Sequence, residues 1–311
     1  MLVLRHLLFV VLGFVLLIKG ADYFVDGAVA VATKLGIPHI VVGLTIVAFG
    51  TSAPEAAVSI SSSLAGSNGI AVGNVLGSNL LNVLVILGLT SCVVTLHFKD
   101  DTVKIDIPFL IFCSVLLPVL GLSIHWINRP VGLVFWALLI GYLVFLVKKS
   151  INSEADEAEN QKDLSPLLII IYILGGIAAI VLGSHLAVDG ARGIAAMLGV
   201  SDRVIGLTVV ALGTSLPELM TSLTAARKGN ADIAIGNIVG SNLFNILFIL
   251  GTTSLIRPIP FGSEYLVDSI LGIVAVTLLF IFSAMEKKLR RVHGVIFLAI
   301  YSVYLYFLIR G

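Results

Sequence analysis

The sequence predicts an all-α membrane protein of ten transmembrane helices, arranged as two inverted five-helix repeats. Composition, a count of apolar spans and a stretch that occurs twice predict it. Of 311 residues, 58% are hydrophobic and 12% charged, and mean hydropathy is +1.11. Soluble domains carry about 25% charged residues, so most of this surface is built to face lipid. A net charge of +1 gives no electrostatic footing for nucleic acid. Cys92 and Cys113 lie in or beside apolar runs and read as small core residues, not as a disulfide or metal pair.

A helix needs about 20 apolar residues to cross the hydrocarbon core. Ten stretches qualify: 3–31, 38–65, 69–95, 104–125, 130–148, 166–197, 202–227, 231–256, 264–285 and 292–309. One connection is long and hydrophilic, from Lys148 to Ser165, and carries the acidic run Glu154, Asp156, Glu157 and Glu159. It reads as a solvated linker, dividing the chain into 1–150, a linker 151–165, and 166–311. The first span could pass for a signal peptide, with Ala28-Val29-Ala30 as a cleavage site. Yet Val25-Asp26-Gly27-Ala28 returns as Val188-Asp189-Gly190-Ala191, 163 residues on, where it must be retained. The first copy is therefore read as a membrane helix.

Residues 43–82, GLTIVAFGTSAPEAAVSISSSLAGSNGIAVGNVLGSNLLN, return as residues 206–245, GLTVVALGTSLPELMTSLTAARKGNADIAIGNIVGSNLFN. The copies align without a gap and share 21 of 40 positions. The matches fall largely on Gly, Pro, Ser, Thr, Asn and Glu rather than on the apolar bulk. Polar duplication in an oily chain marks a site at a repeat interface. Five spans per half is an odd number, so the second half enters the membrane from the other side and the repeat is inverted. With both termini outside, twelve Lys and Arg residues fall in inner loops and six in outer segments, which favours that orientation.

The repeated stretch has a definite chemistry. Pro54 and Pro217 each remove a helical N–H and loosen the backbone near Gly50-Thr51 and Gly213-Thr214. Carbonyls freed at membrane depth need a partner, and a cation is one. Thr51, Glu55 and Ser59 stand four apart and share a helix face. Asn74, Ser78 and Asn82 form a second stripe, matched by Asn237, Ser241 and Asn245, while Gly73, Gly77, Gly236 and Gly240 make close-packing seams. A proline kink with hydroxyls bonded to backbone accounts for the Pro, Ser and Thr. It leaves the glutamates unexplained. A carboxylate near mid-bilayer costs at least about 2.5 kcal/mol, and no Lys or Arg lies in the core of the second, third, seventh or eighth span.

A bound cation supplies the compensation. Oxygen ligands without Cys or His exclude soft transition metals as cargo and suit Ca²⁺ or Na⁺. Two carboxylates are neutralised by one Ca²⁺ or about two Na⁺, so the two ions compete, which an antiporter requires. An intramembrane hydrolase is disfavoured, since no HExxH or GxSxG appears and neither glutamate has a nearby histidine in sequence. A channel would line a pore with similar oxygens, but would move Ca²⁺ without a Na⁺ gradient.

These motifs carry a resemblance. Gly50–Glu55 with Gly73–Asn82, and Gly213–Glu218 with Gly236–Asn245, resemble the paired alpha-repeats of the cation/Ca²⁺ exchanger superfamily, and within it the prokaryotic Na⁺/Ca²⁺ exchangers. The resemblance implies a multi-pass protein of the inner (plasma) membrane, working as a monomer in the lipid bilayer without a cofactor. It implies Ca²⁺ and Na⁺ as transported ions and alternating access, with the first and sixth helices sliding across the other eight. It assigns Ca²⁺ to Glu55 and Glu218 with the Thr51 and Thr214 carbonyls. It assigns Na⁺ to Ala48, Ser52 and Ser78 on one side and Ala211, Thr214, Ser215 and Ser241 on the other, with Asn82 and Asn245 completing the centre. Some relatives, potassium-dependent exchangers among them, carry an acid where Asn245 stands, which weakens the case for K⁺ coupling here. The alternative reading is an H⁺-coupled or K⁺-dependent Ca²⁺/cation exchanger. Elsewhere, Lys19 and Asp22 are spaced i, i+3 with Asp26 a turn beyond, as for a local ion pair, with an ion gate as the alternative.

Overall fold

The computed structural model describes residues 2–66, 69–151, 164–199 and 211–310. Nearly all of them are helical. We number the spans α1 (Leu2–Leu35), α2 (His39–Thr51 and Ala53–Leu64, bent by 49°), α3 (Gly69–Val93), α4 (Thr102–Ile124) and α5 (Arg129–Ser150) in the first half. The second half holds α6 (Pro166–Met197), α7 (Ala211–Thr214 and Leu216–Arg227), α8 (Ala231–Ile256), α9 (Ser263–Glu286) and α10 (Arg291–Leu308). Ten spans were expected, and nine are described nearly whole. Of the span expected at 202–227, residues up to 210 lie outside the described residues, as does 152–163 of the linker.

Four two-residue strands reveal the inversion. β1 (Leu96–His97) precedes α4 and β2 (Trp126–Ile127) follows it, so they sit at opposite ends of a 23-residue helix. β3 (Ile259–Pro260) lies between α8 and α9, and β4 (Lys288–Leu289) between α9 and α10. β1 pairs with β4 and β2 with β3, both antiparallel. Moved along the repeat, β1 becomes β3, yet the two lie on opposite faces. The halves are thus related by a half-turn about an axis in the membrane plane. Side chains repeat the pattern: the Tyr142 hydroxyl donates to Asp106 at 2.8 Å, tying α5 to α4, and the Tyr304 hydroxyl donates to Asp268 at 2.8 Å, tying α10 to α9.

The core sits where the duplicated stretches meet. In α8, 94% of the most apolar window is buried, against 17% in α1, so α8 is central and α1 faces lipid. Leu4, Leu8, Val11, Val15 and Ile18 of α1 are all exposed, which matches a hydrocarbon-facing surface. α1 packs instead on α6, through glycines seven residues apart on each: Gly13, Gly20 and Gly27 against Gly176, Gly183 and Gly190. A Cβ at Gly13 would lie 2.7 Å from the Gly183 carbonyl, and one at Gly20 would lie 2.9 Å from that of Gly176. Without side chains at these points the two backbones touch directly.

One long-range ion cluster corrects a sequence expectation. Asp22 and Asp26 do not serve a local pair with Lys19. Both carboxylates reach Lys228 on the α7–α8 turn, at 3.4 and 2.7 Å. The spacing could not show this, because the partner lies in the other half of the chain.

Candidate functional site

The site begins with two matched breaks. Ser52 interrupts α2 with φ −81° and ψ 5°, and Ser215 interrupts α7 with φ −91° and ψ 1°. Each break precedes a helix with proline in its first turn, followed at once by the glutamate. Proline donates no N–H to the carbonyl four residues back, so Gly50 and Gly213 lose their helical donors. The Ser184 hydroxyl of α6 takes up the Gly213 carbonyl at 2.5 Å. On the other side Gly50 faces Ile177 of α6 and Phe24 of α1. The peripheral pair therefore rests on both breaks.

Behind each break stands an asparagine that the polar stripe had marked but not explained. Asn74 donates to the Glu55 carbonyl (3.3 Å) and the Ser59 hydroxyl (3.0 Å). Asn237 donates to the Glu218 carbonyl (3.4 Å) and the Ser222 hydroxyl (2.9 Å). These bonds brace the start of each second helical segment, so the carboxylates leave a fixed backbone.

Hydrogen bonds across the repeats join several of the expected residues. Ser52 donates to Glu218 Oε1 at 3.1 Å. The Thr51 hydroxyl donates to Asn237 Oδ1 at 2.9 Å, lies 3.4 Å from the Ser241 hydroxyl, and is 3.3 Å from the Ala48 carbonyl. The Glu55 carboxylate lies near enough to Glu218 to feel its charge. Ser78 is buried on α3, and Thr214 and Ala211 belong to the short helix before the Ser215 break. The α8 seam forms as expected, with a Cβ at Gly236 or Gly240 falling 2.8 or 2.7 Å from α2 backbone carbonyls. No described atom lies within 4 Å of such a Cβ at Gly73 or Gly77, and residues 203, 206 and 207, which correspond to the Ile40, Gly43 and Leu44 that meet the α8 glycines, lie outside the described residues.

Both glutamates are 1% exposed, and neither forms an ion pair among the described residues. Six buried oxygens of the cluster have no hydrogen-bond partner among the described residues: Glu55 Oε1 and Oε2, Glu218 Oε2, Ser215 Oγ, Asn82 Oδ1 and Asn245 Oδ1. Native interiors leave few such atoms unsatisfied. Asn82 and Asn245 emerge from π-helical turns, Leu81–Leu87 and Asn245–Leu250, a local widening often found at functional sites. No group of three or more His, Cys, Asp or Glu side chains converges among the described residues. An ion here would be held by two carboxylates and neutral oxygens. Sequence reasoning passed over Asn79 and Asn242, although both fall on identical positions of the repeat.

Inverted repeats, breaks at mid-helix and a buried cluster of polar oxygens between them define a multi-pass membrane protein. Its family follows from comparison with known proteins. The chain belongs to the sodium/calcium exchanger protein family, whose model matches residues 5–148 and 168–310. It is 33% identical over 342 residues to the sodium/calcium exchanger MaX1 of Methanosarcina acetivorans, covering 96% of this chain and 97% of that protein. It is 36% identical over 259 residues to the inner membrane protein YrbG of Escherichia coli, covering 80% and 79%. A solved structure of the sodium–calcium exchanger NCX_Mj superposes with a TM-score of 0.86 at 32% identity, covering 98% of this chain and 99% of that one.

Proposed function

We propose that the chain is a secondary active antiporter that exchanges Ca²⁺ for Na⁺ across the membrane by alternating access. The observation that carries this reading is the set of six buried oxygens centred on Glu55 and Glu218 that have no hydrogen-bond partner among the described residues. Two ionised carboxylates in a water-poor core cost several kcal/mol each unless compensated. One Ca²⁺ or about two Na⁺ neutralise them, and Ca²⁺ accepts six to eight oxygens in loose geometry. In this reading Glu55 and Glu218 are the shared ligands, supported by the Thr51 and Thr214 carbonyls. Ala48, Ser52, Ser78, Ala211, Thr214, Ser215 and Ser241 serve Na⁺, with Asn82 and Asn245 between them.

Competition follows from charge alone. An empty site leaves both carboxylates exposed to desolvation whenever the protein changes access, whereas a filled one does not. The moving part is the α1–α6 pair, which is largely lipid-facing, packs on itself through glycine, and abuts the core at Gly50 and Gly213. Ions seated beside those breaks can thereby bias its position. We place the protein in the plasma (inner) membrane as a monomer. The face carrying the linker, Lys34, Lys99, Lys149 and Lys228 would be cytoplasmic and both termini outside.

The test is flux in sealed vesicles with the purified protein. Radiolabelled Ca²⁺ should enter against an outward Na⁺ gradient and not against K⁺ or H⁺ gradients of equal size. Uptake without any gradient would indicate a channel, and uptake driven by K⁺ or H⁺ alone would replace Na⁺ as the coupling ion.

A further inference from the structure

We infer that Asn79 and Asn242 are positioning residues that aim the side-chain oxygens of Asn245 and Asn82 into the cation site, each acting on the asparagine of the opposite repeat. The inference rests on the cation-site reading above, and deepens it.

An asparagine amide presents a donor at one end and an acceptor at the other, and only its partners decide which end points where. Here the partners leave one solution. Asn242 Nδ2 faces the Asn79 backbone carbonyl at 3.3 Å, and Asn79 Nδ2 faces the Asn242 carbonyl at 3.3 Å. A carbonyl can only accept, so both amide nitrogens are committed to backbone. Asn242 must then offer its oxygen elsewhere, and it accepts from Asn82 Nδ2 at 2.9 Å. Asn79 likewise accepts from Asn245 Nδ2 at 2.9 Å. With their nitrogens engaged, Asn82 and Asn245 are obliged to turn their oxygens the other way. Those are two of the buried oxygens with no hydrogen-bond partner among the described residues. Reversed, either side chain would present an N–H to a cation.

The wiring is crossed. Asn79 governs Asn245 and Asn242 governs Asn82, so each half of the molecule sets a ligand of the other. The reciprocal Asn79–Asn242 bonds also pin α3 to α8 at the axis between the repeats.

Radiolabelled Ca²⁺ binding to the purified protein in Na⁺-free detergent tests this without requiring transport. Asn79→Ala should weaken binding by about tenfold or more, as partners that orient metal ligands do, with the protein still monodisperse. In an Asn245→Ala background the same change should have little further effect, while in an Asn82→Ala background it should keep its full effect. Asn242→Ala should show the mirror result. Asn79→Ser, whose hydroxyl can still donate and accept, should recover part of the loss and serves where the alanine variant does not fold. Equal losses in every background, or no Ca²⁺ binding by the unaltered protein, would overturn the inference. Ca²⁺ binding with the expected crossed pattern but without Na⁺-driven uptake would sink the exchanger reading and leave the positioning role standing.

Discussion

The Ser52 hydroxyl donates to Glu218 Oε1 across 3.1 Å, joining residues 166 positions apart and in opposite repeats. Its counterpart, Ser215 Oγ, is buried without a hydrogen-bond partner among the described residues. The cluster departs from its own two-fold symmetry at this bond. Glu218 is held through one oxygen by a serine of the opposite repeat, a bond that Ser215 does not return to Glu55. Ser52→Ala should therefore weaken Ca²⁺ binding by about tenfold through loss of an oriented carboxylate. Wild-type affinity in Ser52→Ala would show that the bond orients nothing.

Removing either charge should separate stability from function. Glu55→Gln or Glu218→Gln relieves the burial of an unpaired carboxylate, so melting temperature without added cation should stay level or rise. Bound ion stabilises by about 2.7 kcal/mol at a hundredfold excess over Kd, and that Ca²⁺-dependent rise should vanish in both variants together with exchange. A retained Ca²⁺ shift in either one would remove that glutamate from the site.

Close packing of α1 on α6 predicts a steric effect. A Cβ at Gly183 would lie 2.7 Å from the Gly13 carbonyl and 2.8 Å from the Leu17 amide nitrogen. Backbone cannot give way as a side chain can, so Gly183→Ala should destabilise the protein by about 1–3 kcal/mol. Thermal melting in detergent measures this. An unchanged melting temperature would mean that the two helices part without cost.

At the face bearing β1 and β4, Asp100 pairs with Lys104 at 2.9 Å and with Lys287, and the Phe98 amide donates to the Lys287 carbonyl at 2.9 Å. The hydrogen bonds from Lys287 and then Lys104 hold the Asp100 carboxyl down at about 2. A depressed folded value means that the contribution is complete above the unfolded value of about 3.9 and is lost as pH falls through about 2. The melting difference between the parent protein and Asp100→Asn should thus be flat from neutral pH to about 4 and shrink below it. It should also be small and fade with salt, because the group is fully exposed. A difference that changes between pH 6 and 8 would contradict the assignment.

Much of this was legible in the sequence, for reasons that individual residues make plain. The 163-residue offset aligned Glu55 with Glu218 and Pro54 with Pro217, so the paired breaks and the buried acids could be read before any coordinates. Span count followed from hydropathy because lipid forces regular helices. What escaped was pairing between distant positions. Lys228 takes Asp22 and Asp26 from 206 and 202 positions away, and helix spacing reports only local neighbours. The two-residue strands are set by loops meeting at each face, and two residues hold no pattern. The glycines of α1 and α6 stood in the sequence at seven-residue spacing, but their meaning required knowing that those two helices touch. Asn79 and Asn242 were visible as identities, yet their roles depend on amide directions fixed by carbonyls in the other half.

The central claim is that one pair of carboxylates serves both ions in turn. Titrating Na⁺ against radiolabelled Ca²⁺ bound to the purified protein tests it most directly. Na⁺ should displace Ca²⁺ completely and with a Hill coefficient of about two or more, since about two monovalent ions replace one divalent ion at the same charges. Ca²⁺ that stays bound at saturating Na⁺ would contradict a shared site.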